Sequence, residues 1–462
     1  MVFSSVTFLC LFLPVFLVFY FINRNATYRN IILVAFSLLF YAWGEPVWVL
    51  ALIASGITDY ICGLVIHTRK TGAGKKAALA ASLIINIGLL TSFKYSGFII
   101  QNINSLLHTS FSAPEFDLPL GISFYTFQTL SYTIDMYRGK IKVQKNFLNF
   151  MCYVTMFPQL VAGPIVRYSD VEGRLVDRKI TAQRFSAGIT RFACGLGKKA
   201  LLANPADAAA AMLLADTAKM TTASAWLGVV FFAFQVYFDF SGYSDMAIGL
   251  GKMVGFDFPE NFNYPYEAAS ITDFWRRWHI SLTSFFRDYV YIPLGGNRRF
   301  QIRNIAAVWL LTGIWHGASW NFILWGVYFG ALLMFEKYTL QGVMKSIPVL
   351  FKRAYTIVAV LVGWGLFYFT DLAEFATFFR AFFFTGAPRS AFLPESVLIS
   401  RIWLLIVLAV ASSSLPKKAY RYLFEVLPEV SFSKPFFTGA CIITSFFMLL
   451  GQTYNPFLYF RF

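Results

Sequence analysis

Of the four histidines in the 462-residue chain, two stand where imidazole chemistry makes sense. His316 lies in the run Gly313-Ile314-Trp315-His316-Gly317-Ala318-Ser319-Trp320, inside a long apolar stretch. An ionisable residue at membrane depth marks a functional site by default. An imidazole, with an ordinary pKa of about 6.5, suits proton transfer at neutral pH. Gly313 and Gly317 flank it and leave backbone room for a ligand; the bland alternative is a core histidine satisfied by its neighbours. His279 lies in Trp275-Arg276-Arg277-Trp278-His279-Ile280-Ser281-Leu282, where paired arginines between tryptophans suggest a helix at headgroup level. On spacing alone that run reads first as an interfacial anchor. His67, in a basic loop, and His108, in a loop without Lys or Arg, read as solvated residues.

Tryptophan gathers around the same two histidines. Trp275, Trp278, Trp309, Trp315, Trp320 and Trp325 are six of the chain's 11 and fall within 51 residues, whereas an interfacial belt spreads its Trp over many spans. A Trp offers a large apolar face and one N–H donor, so it can wall a tunnel and still orient a polar group. A second unusual run is Gln235-Val236-Tyr237-Phe238-Asp239-Phe240-Ser241-Gly242-Tyr243-Ser244-Asp245-Met246, with two acids and several hydroxyls among apolar residues. Buried charge needs partners, and this run reads equally as an ion-pair network with nearby Arg or as a direct participant. Arg298 and Arg299, after Gly295-Gly296, can meet a phosphorylated cytosolic substrate or simply set topology. The five cysteines are scattered, with no C-x-x-C and no His at ligand spacing, so neither a disulfide framework nor a metal site is expected. There is no Gly-rich nucleotide loop, G-x-S-x-G elbow or H-E-x-x-H helix.

The elements that must hold these groups are membrane helices. Apolar residues make up 58% of the chain and charged ones 13%, against about 45–50% and 25% in soluble domains. That balance excludes a string of water-soluble domains, a disordered chain and a coiled coil. A net charge of +16 on a soluble protein would suggest nucleic acid. Here the cations fall in loops, where they hold the cytoplasmic side and face anionic lipid. Full spans are predicted over residues 6–22, 31–43, 46–66, 77–100, 119–136, 187–203, 226–240, 355–369, 397–414 and 435–451, with both termini outside. Residues 147–164, broken by two prolines, and 304–335, broken by Gly313 and Gly317, read as re-entrant insertions, which persist only where protein or a cavity covers them. No repeat or soluble domain is seen, so the expectation is one membrane domain over 1–462, with its chemistry in 235–335 and an aromatic tail at 455–462.

Residues 238–251, 260–266, 271–297 and 313–317 resemble the core motifs of the membrane-bound O-acyltransferase (MBOAT) superfamily, in its alginate O-acetylation and peptidoglycan O-acetyltransferase branch. The opening Met1-Val2-Phe3-Ser4-Ser5 and the closing residues match that branch too, and 270–297 is the most specific part. The resemblance implies an all-α polytopic fold, roughly ten transmembrane helices plus broken helices around a central tunnel. It implies acetyl-CoA as donor substrate, no tightly bound cofactor, and a cytoplasmic mouth near Trp275, Arg276, Arg277, Trp278, Arg298 and Arg299. His316 falls on the family's essential histidine, acting as general base, and His279 on its supporting polar position. The related D-alanine export system, to which this chain is similar, uses a Tyr in a short aromatic C-terminal motif as a transient acyl carrier. The closing Asn455-Pro456-Phe457-Leu458-Tyr459-Phe460-Arg461-Phe462 fits that pattern with Tyr459 as carrier, although the residues alone read as a Phe-rich anchor. The implied partners are an extracytoplasmic SGNH-type acetyltransferase, a polysaccharide acceptor (alginate, cellulose, peptidoglycan or another exopolysaccharide) and membrane lipid, at a bacterial cytoplasmic membrane. Two rivals stay open. One is a transporter or flippase, for which Asp59, Lys94 and Asp239 suit ion coupling but no inverted repeat is found. The other is acylation of a lipid or protein by a different branch of the family.

Overall fold

The computed structural model describes residues 1–69, 71–114, 118–384, 393–426, 433–451 and 457, and among them every regular element is a helix. Hydrocarbon demands this, because each backbone N–H and C=O must find its partner within its own segment. Among the described residues four helices are long and apolar enough to cross a bilayer: Val49–Thr68 (α1), Gly72–Leu107, whose first part is Gly72–Leu90 (α2), Thr222–Met253, and Val349–Tyr368. The bent pair Ser396–Ala411 and Leu415–Phe424 adds a fifth at most, and Phe8–Ile22, Ala26–Ala42 and Lys434–Leu450 are shorter apolar helices. The ten segments expected to span all fall on helix. Four of them lie in the helices that pass on length and hydropathy, residues 397–414 lie in the bent pair, residues 6–22, 31–43 and 435–451 lie on the shorter apolar helices, and residues 119–136 and 187–203 lie on none of these.

Contacts divide the chain into two compact units. The first comprises residues 1–192 and 243–259. Its core is aromatic: the ring of Phe157 lies 5.1–6.4 Å from those of Phe3, Phe8, Phe12, Phe16 and Phe40. Phe157 opens the second half of the proline-broken segment, which is interrupted at Met156 between Phe147–Thr155 and Phe157–Leu160 and is buried throughout 150–166. A polar helix, Ile122–Tyr137 (α3), is buried along most of its length. Its hydroxyls join a network on α1 and α2, in which Asp59 accepts hydrogen bonds from Ser82 Oγ (2.5 Å) and Asn86 Nδ2 (2.8 Å), and Thr133 Oγ1 lies 3.0 Å from Ser82 Oγ. Asp245, from the acid-bearing run, pairs with Arg191 at 2.6 Å.

The second unit comprises residues 193–242 and 260–458 as far as they are described. The 32-residue helix Thr222–Met253 (α4) contributes Asp239 to it, and Asp239 meets Lys199 at 2.6 Å with both side chains at most 2% exposed. Lys199 Nζ also lies 4.6 Å from the ring centre of Phe457. Further along come two short helices, Ile271–Arg277 (α5) and Ile280–Phe286 (α6), then Gln301–His316 (α7), Trp320–Phe335 (α8) and Val349–Tyr368 (α9). Each arm of α7 and α8 has 16 residues, or about 24 Å at 1.5 Å per residue, short of a hydrocarbon core of about 30 Å. The arms pack antiparallel through glycine. A Cβ on Gly326 would run into Trp309 O and stand 3.2 Å from Gly313 Cα, and one on Gly330 would stand 3.1 Å from Trp309 Cβ.

Candidate active site

Glu336, just past α8, seats α5. Its Oε1 accepts the N–H of Ile271 (2.6 Å), and its Oε2 accepts the N–H and the hydroxyl of Thr272 (3.0 and 2.9 Å). Ser270 Oγ takes the N–H of Asp273 (3.0 Å), so the orphan donors of the first turn are met by one local and one distant acceptor. Arg277 closes the helix with a 2.9 Å bond from its Nε to Asp273 Oδ1, and Trp278 leaves it in extended conformation.

His279 then turns the chain with φ 45°, in the left-handed region that few non-glycine residues adopt. Backbone bonds from the preceding segment pin the turn: Ile280 N–H donates to Asn261 O (3.0 Å) and Asn263 N–H donates to Arg277 O (2.9 Å). The side chain of Asn261 sets the imidazole. Asn261 Oδ1 accepts from Ser281 N–H (3.3 Å) and from Ser281 Oγ (2.8 Å). A backbone N–H can only donate, so the atom it faces is the amide oxygen. His279 Nδ1, 3.0 Å from that same oxygen, therefore carries the proton and leaves the lone pair on Nε2. His279 is 2% exposed, outside the spanning helices, and burial pushes its imidazole down to about 3.

His316 ends α7 and is 5% exposed. Its ring lies 4.9 Å from Trp315, 4.9 Å from Trp325 and 5.4 Å from Phe367. Trp315 lies between the two histidines, 5.9 Å from the His279 ring. The backbone room expected beside Gly313 and Gly317 is filled by protein: Phe322 occupies it at both glycines, with Gly326 also against Gly313. These glycines close the hairpin rather than admit a ligand.

Both imidazoles line one cavity of about 210 Å³, walled by Trp275, Arg276, Trp278, Leu282, Phe286, Trp309 and the threonines 272, 283 and 312, among others. A larger cavity of about 640 Å³ adjoins it, sharing Thr272, Arg276, Val308, Trp309 and Leu333. Lys337, Lys352, Glu336 and Tyr291 also line the larger one. Glu336 is already committed to α5, so Arg276, Lys337 and Lys352 give that cavity a cationic rim.

Of the residues expected at the mouth, Trp275, Arg276 and Trp278 line these cavities. Arg277 is held by Asp273, and Arg298 and Arg299 are exposed on the loop before α7, outside both linings. Tyr459 lies outside the described residues. Sequence reading missed Asn261, Glu336, Lys337 and Lys352. Glu336 gives no local signal, because it acts on a partner distant in sequence; Asn261 falls in the run 260–266 that resembles a family core motif, but nothing in that run tells its role. The lysines look like ordinary loop cations that set topology. Asp59 and Asp239, the groups suited to ion coupling, are each engaged, with Ser82 and Asn86 and with Lys199 respectively.

Comparison with known proteins adds an independent finding. The family model for membrane-bound O-acyltransferases matches residues 140–379. A protein of Azotobacter vinelandii named as a probable alginate O-acetylase is 43% identical over 381 residues, covering 79% of this chain and 75% of that one. Its counterpart in Pseudomonas aeruginosa is 42% identical over 399 residues, covering 84% and 75%. A peptidoglycan O-acetyltransferase of Helicobacter pylori is 35% identical over 415 residues, covering 82% and 77%.

Proposed function

The chain belongs to the membrane-bound O-acyltransferase family, and from that premise we propose that it takes acetyl from cytosolic acetyl-CoA and passes it across the membrane for O-acetylation of an extracytoplasmic polysaccharide. The observation that carries this reading is the pair of buried imidazoles in one small cavity that adjoins a larger cation-rimmed one. At about 640 Å³ the larger cavity is within the range of about 300–1,000 Å³ usual for ligand sites. Arg276, Lys337 and Lys352 suit the phosphates of CoA, and the thioester then enters the smaller, tryptophan-walled chamber.

There His316 is the general base. It takes the proton of an acceptor hydroxyl as that oxygen attacks the thioester carbon, and returns it to the departing thiolate. His279, with its proton fixed on Nδ1 by Asn261, stays neutral and orients or polarises the reacting group. The first acceptor is Tyr459 of the aromatic tail, whose acetyl ester is handed outside to an SGNH-type partner and then to the polymer. This relay explains how donor and final acceptor occupy different compartments. It requires both termini on the outer face of a bacterial cytoplasmic membrane, as the loop charges indicate. The acetyl group and the polysaccharide acceptor rest on the alginate and peptidoglycan O-acetylating relatives.

Purified protein in lipid nanodiscs, given acetyl-CoA labelled in the acetyl group, is expected to release CoA and retain label on the protein. His316→Ala should abolish both at equal expression. Tyr459→Phe should remove the retained label, and label that persists in that variant would sink the carrier step while leaving the acyltransferase intact. Full activity of His316→Ala would overturn the assignment of the base.

A further inference from the structure

Lys199 and Asp239 form an ion pair at 2.6 Å, both side chains at most 2% exposed, near the middle of the 32-residue α4. No step of the proposed chemistry uses it. Buried ion pairs add little stability, because desolvation offsets their attraction, and ionisable groups at membrane depth point to function. What the pair touches is the aromatic tail: the ring of Phe457, itself 1% exposed, has its centre 4.6 Å from Lys199 Nζ. The ring quadrupole attracts an ammonium over its face, most strongly where water is excluded. The course of the chain agrees. The helix Lys434–Leu450 lies against the segment that carries Lys199: Cys441 Sγ donates to Ala193 O at 3.4 Å, and a Cβ on Gly197 would stand 3.0 Å from that sulfur. Phe457 comes seven residues after Leu450, a reach of up to about 25 Å, against about 15 Å from the edge of the hydrocarbon core to its midplane. On the same turn of α4, Phe240 follows Asp239, and its ring lies 4.7 Å from that of His279.

We infer that the Lys199–Asp239 pair anchors the C-terminal aromatic tail, holding the ring of Phe457 inside the membrane so that Tyr459 is presented to the histidine chamber; the inference rests on the relay proposed above. Asp239 fixes the ammonium of Lys199, and the ammonium in turn holds the ring face. Lys199 and Phe457 are positioning residues: they touch neither thioester nor acceptor hydroxyl and act through Tyr459, two residues on, a chain span of no more than about 7 Å. An anchor at this depth accounts for how a tail that enters from outside meets a thioester that enters from the cytosol.

The test replaces Phe457 in the full chain, through a suppressed stop codon, with phenylalanines carrying one, two or three ring fluorines. Fluorine draws electron density from the ring face and so weakens its hold on a cation, while size and apolarity hardly change. In nanodiscs given labelled acetyl-CoA for a single turnover, label retention on the protein is expected to slow with each fluorine, about tenfold for the trifluoro ring. The acetyl-CoA concentration that gives half the maximal rate should not change. A ring that only fills space would give equal rates across the series, and that result overturns the inference. A second readout needs no chemistry: ¹⁹F NMR of the monofluoro ring at position 457. Its resonance should move when Lys199→Met and Asp239→Asn are made together, a change that removes the ion pair without stranding one charge. An unmoved resonance also overturns the inference. Wild-type protein that retains no label counts instead against the relay, and the ¹⁹F shift then decides the anchor by itself.

Discussion

At the scale of single residues, the site depends on how His279 is held. The left-handed turn at His279 costs about 1–3 kcal/mol, and the Asn261 contacts hold it there. Burial lowers its pKa to about 3 from an ordinary 6.5. The unfolded chain therefore binds a proton below pH 6.5 that the folded chain refuses. Stability from this group is complete above pH 6.5 and is lost as pH falls from there toward 3, at up to about 1.4 kcal/mol per pH unit. Thermal unfolding midpoints of the wild type and His279→Asn, compared between pH 7 and pH 5, should show the wild type falling more steeply. Parallel slopes would show that His279 is solvated. None of this was visible in Trp278-His279-Ile280 as a string, whose spacing alone suggested an anchor at the membrane surface, because its acceptor lies on another segment.

At the scale of elements, α5 and the α7–α8 hairpin form the chamber, and Glu336 ties them together. Removing its carboxylate leaves the N–H groups of buried Ile271 and half-buried Thr272 without their acceptor, a cost of about 1–3 kcal/mol. Glu336→Ala is accordingly expected to lower the midpoint of thermal unfolding and to weaken acetyl-CoA turnover, while Glu336→Gln, which keeps one acceptor oxygen but sets an NH₂ against the donors that faced the other, recovers only part of the loss. A Glu336→Ala midpoint equal to that of the wild type would mean that the cap does not matter. The break in the hairpin was legible at Gly317, which follows the last residue of α7, but the interruption expected at Gly313 does not occur: Gly313 lies inside α7, because a glycine costs a helix only about 1 kcal/mol. The use of those glycines was not legible, because a close approach depends on what the opposing helix brings, here Phe322 and Gly326.

At the scale of the whole molecule, charge and apolarity act over many residues and so survive local error. The excess of Lys and Arg in loops predicts the orientation on which the Tyr459 relay depends. In a variant lacking the native cysteines, Phe462→Cys should react with a membrane-impermeant thiol reagent added from outside. Labelling only after the membrane is opened would contradict both the topology and the carrier role. Sequence by itself determined the helical membrane class and the segments that form helix, because hydropathy is a property of contiguous chain. It pointed to His279 and His316 but not to their relation. Only the tertiary structure decided that both face one chamber, that Asn261 fixes the proton of His279, that Asp239 is committed to Lys199, and that Lys337 and Lys352 rim the larger cavity where Arg298 and Arg299 do not. Those relations come from the packing of distant segments, where burial makes each unpaired polar group costly and so selects its partner.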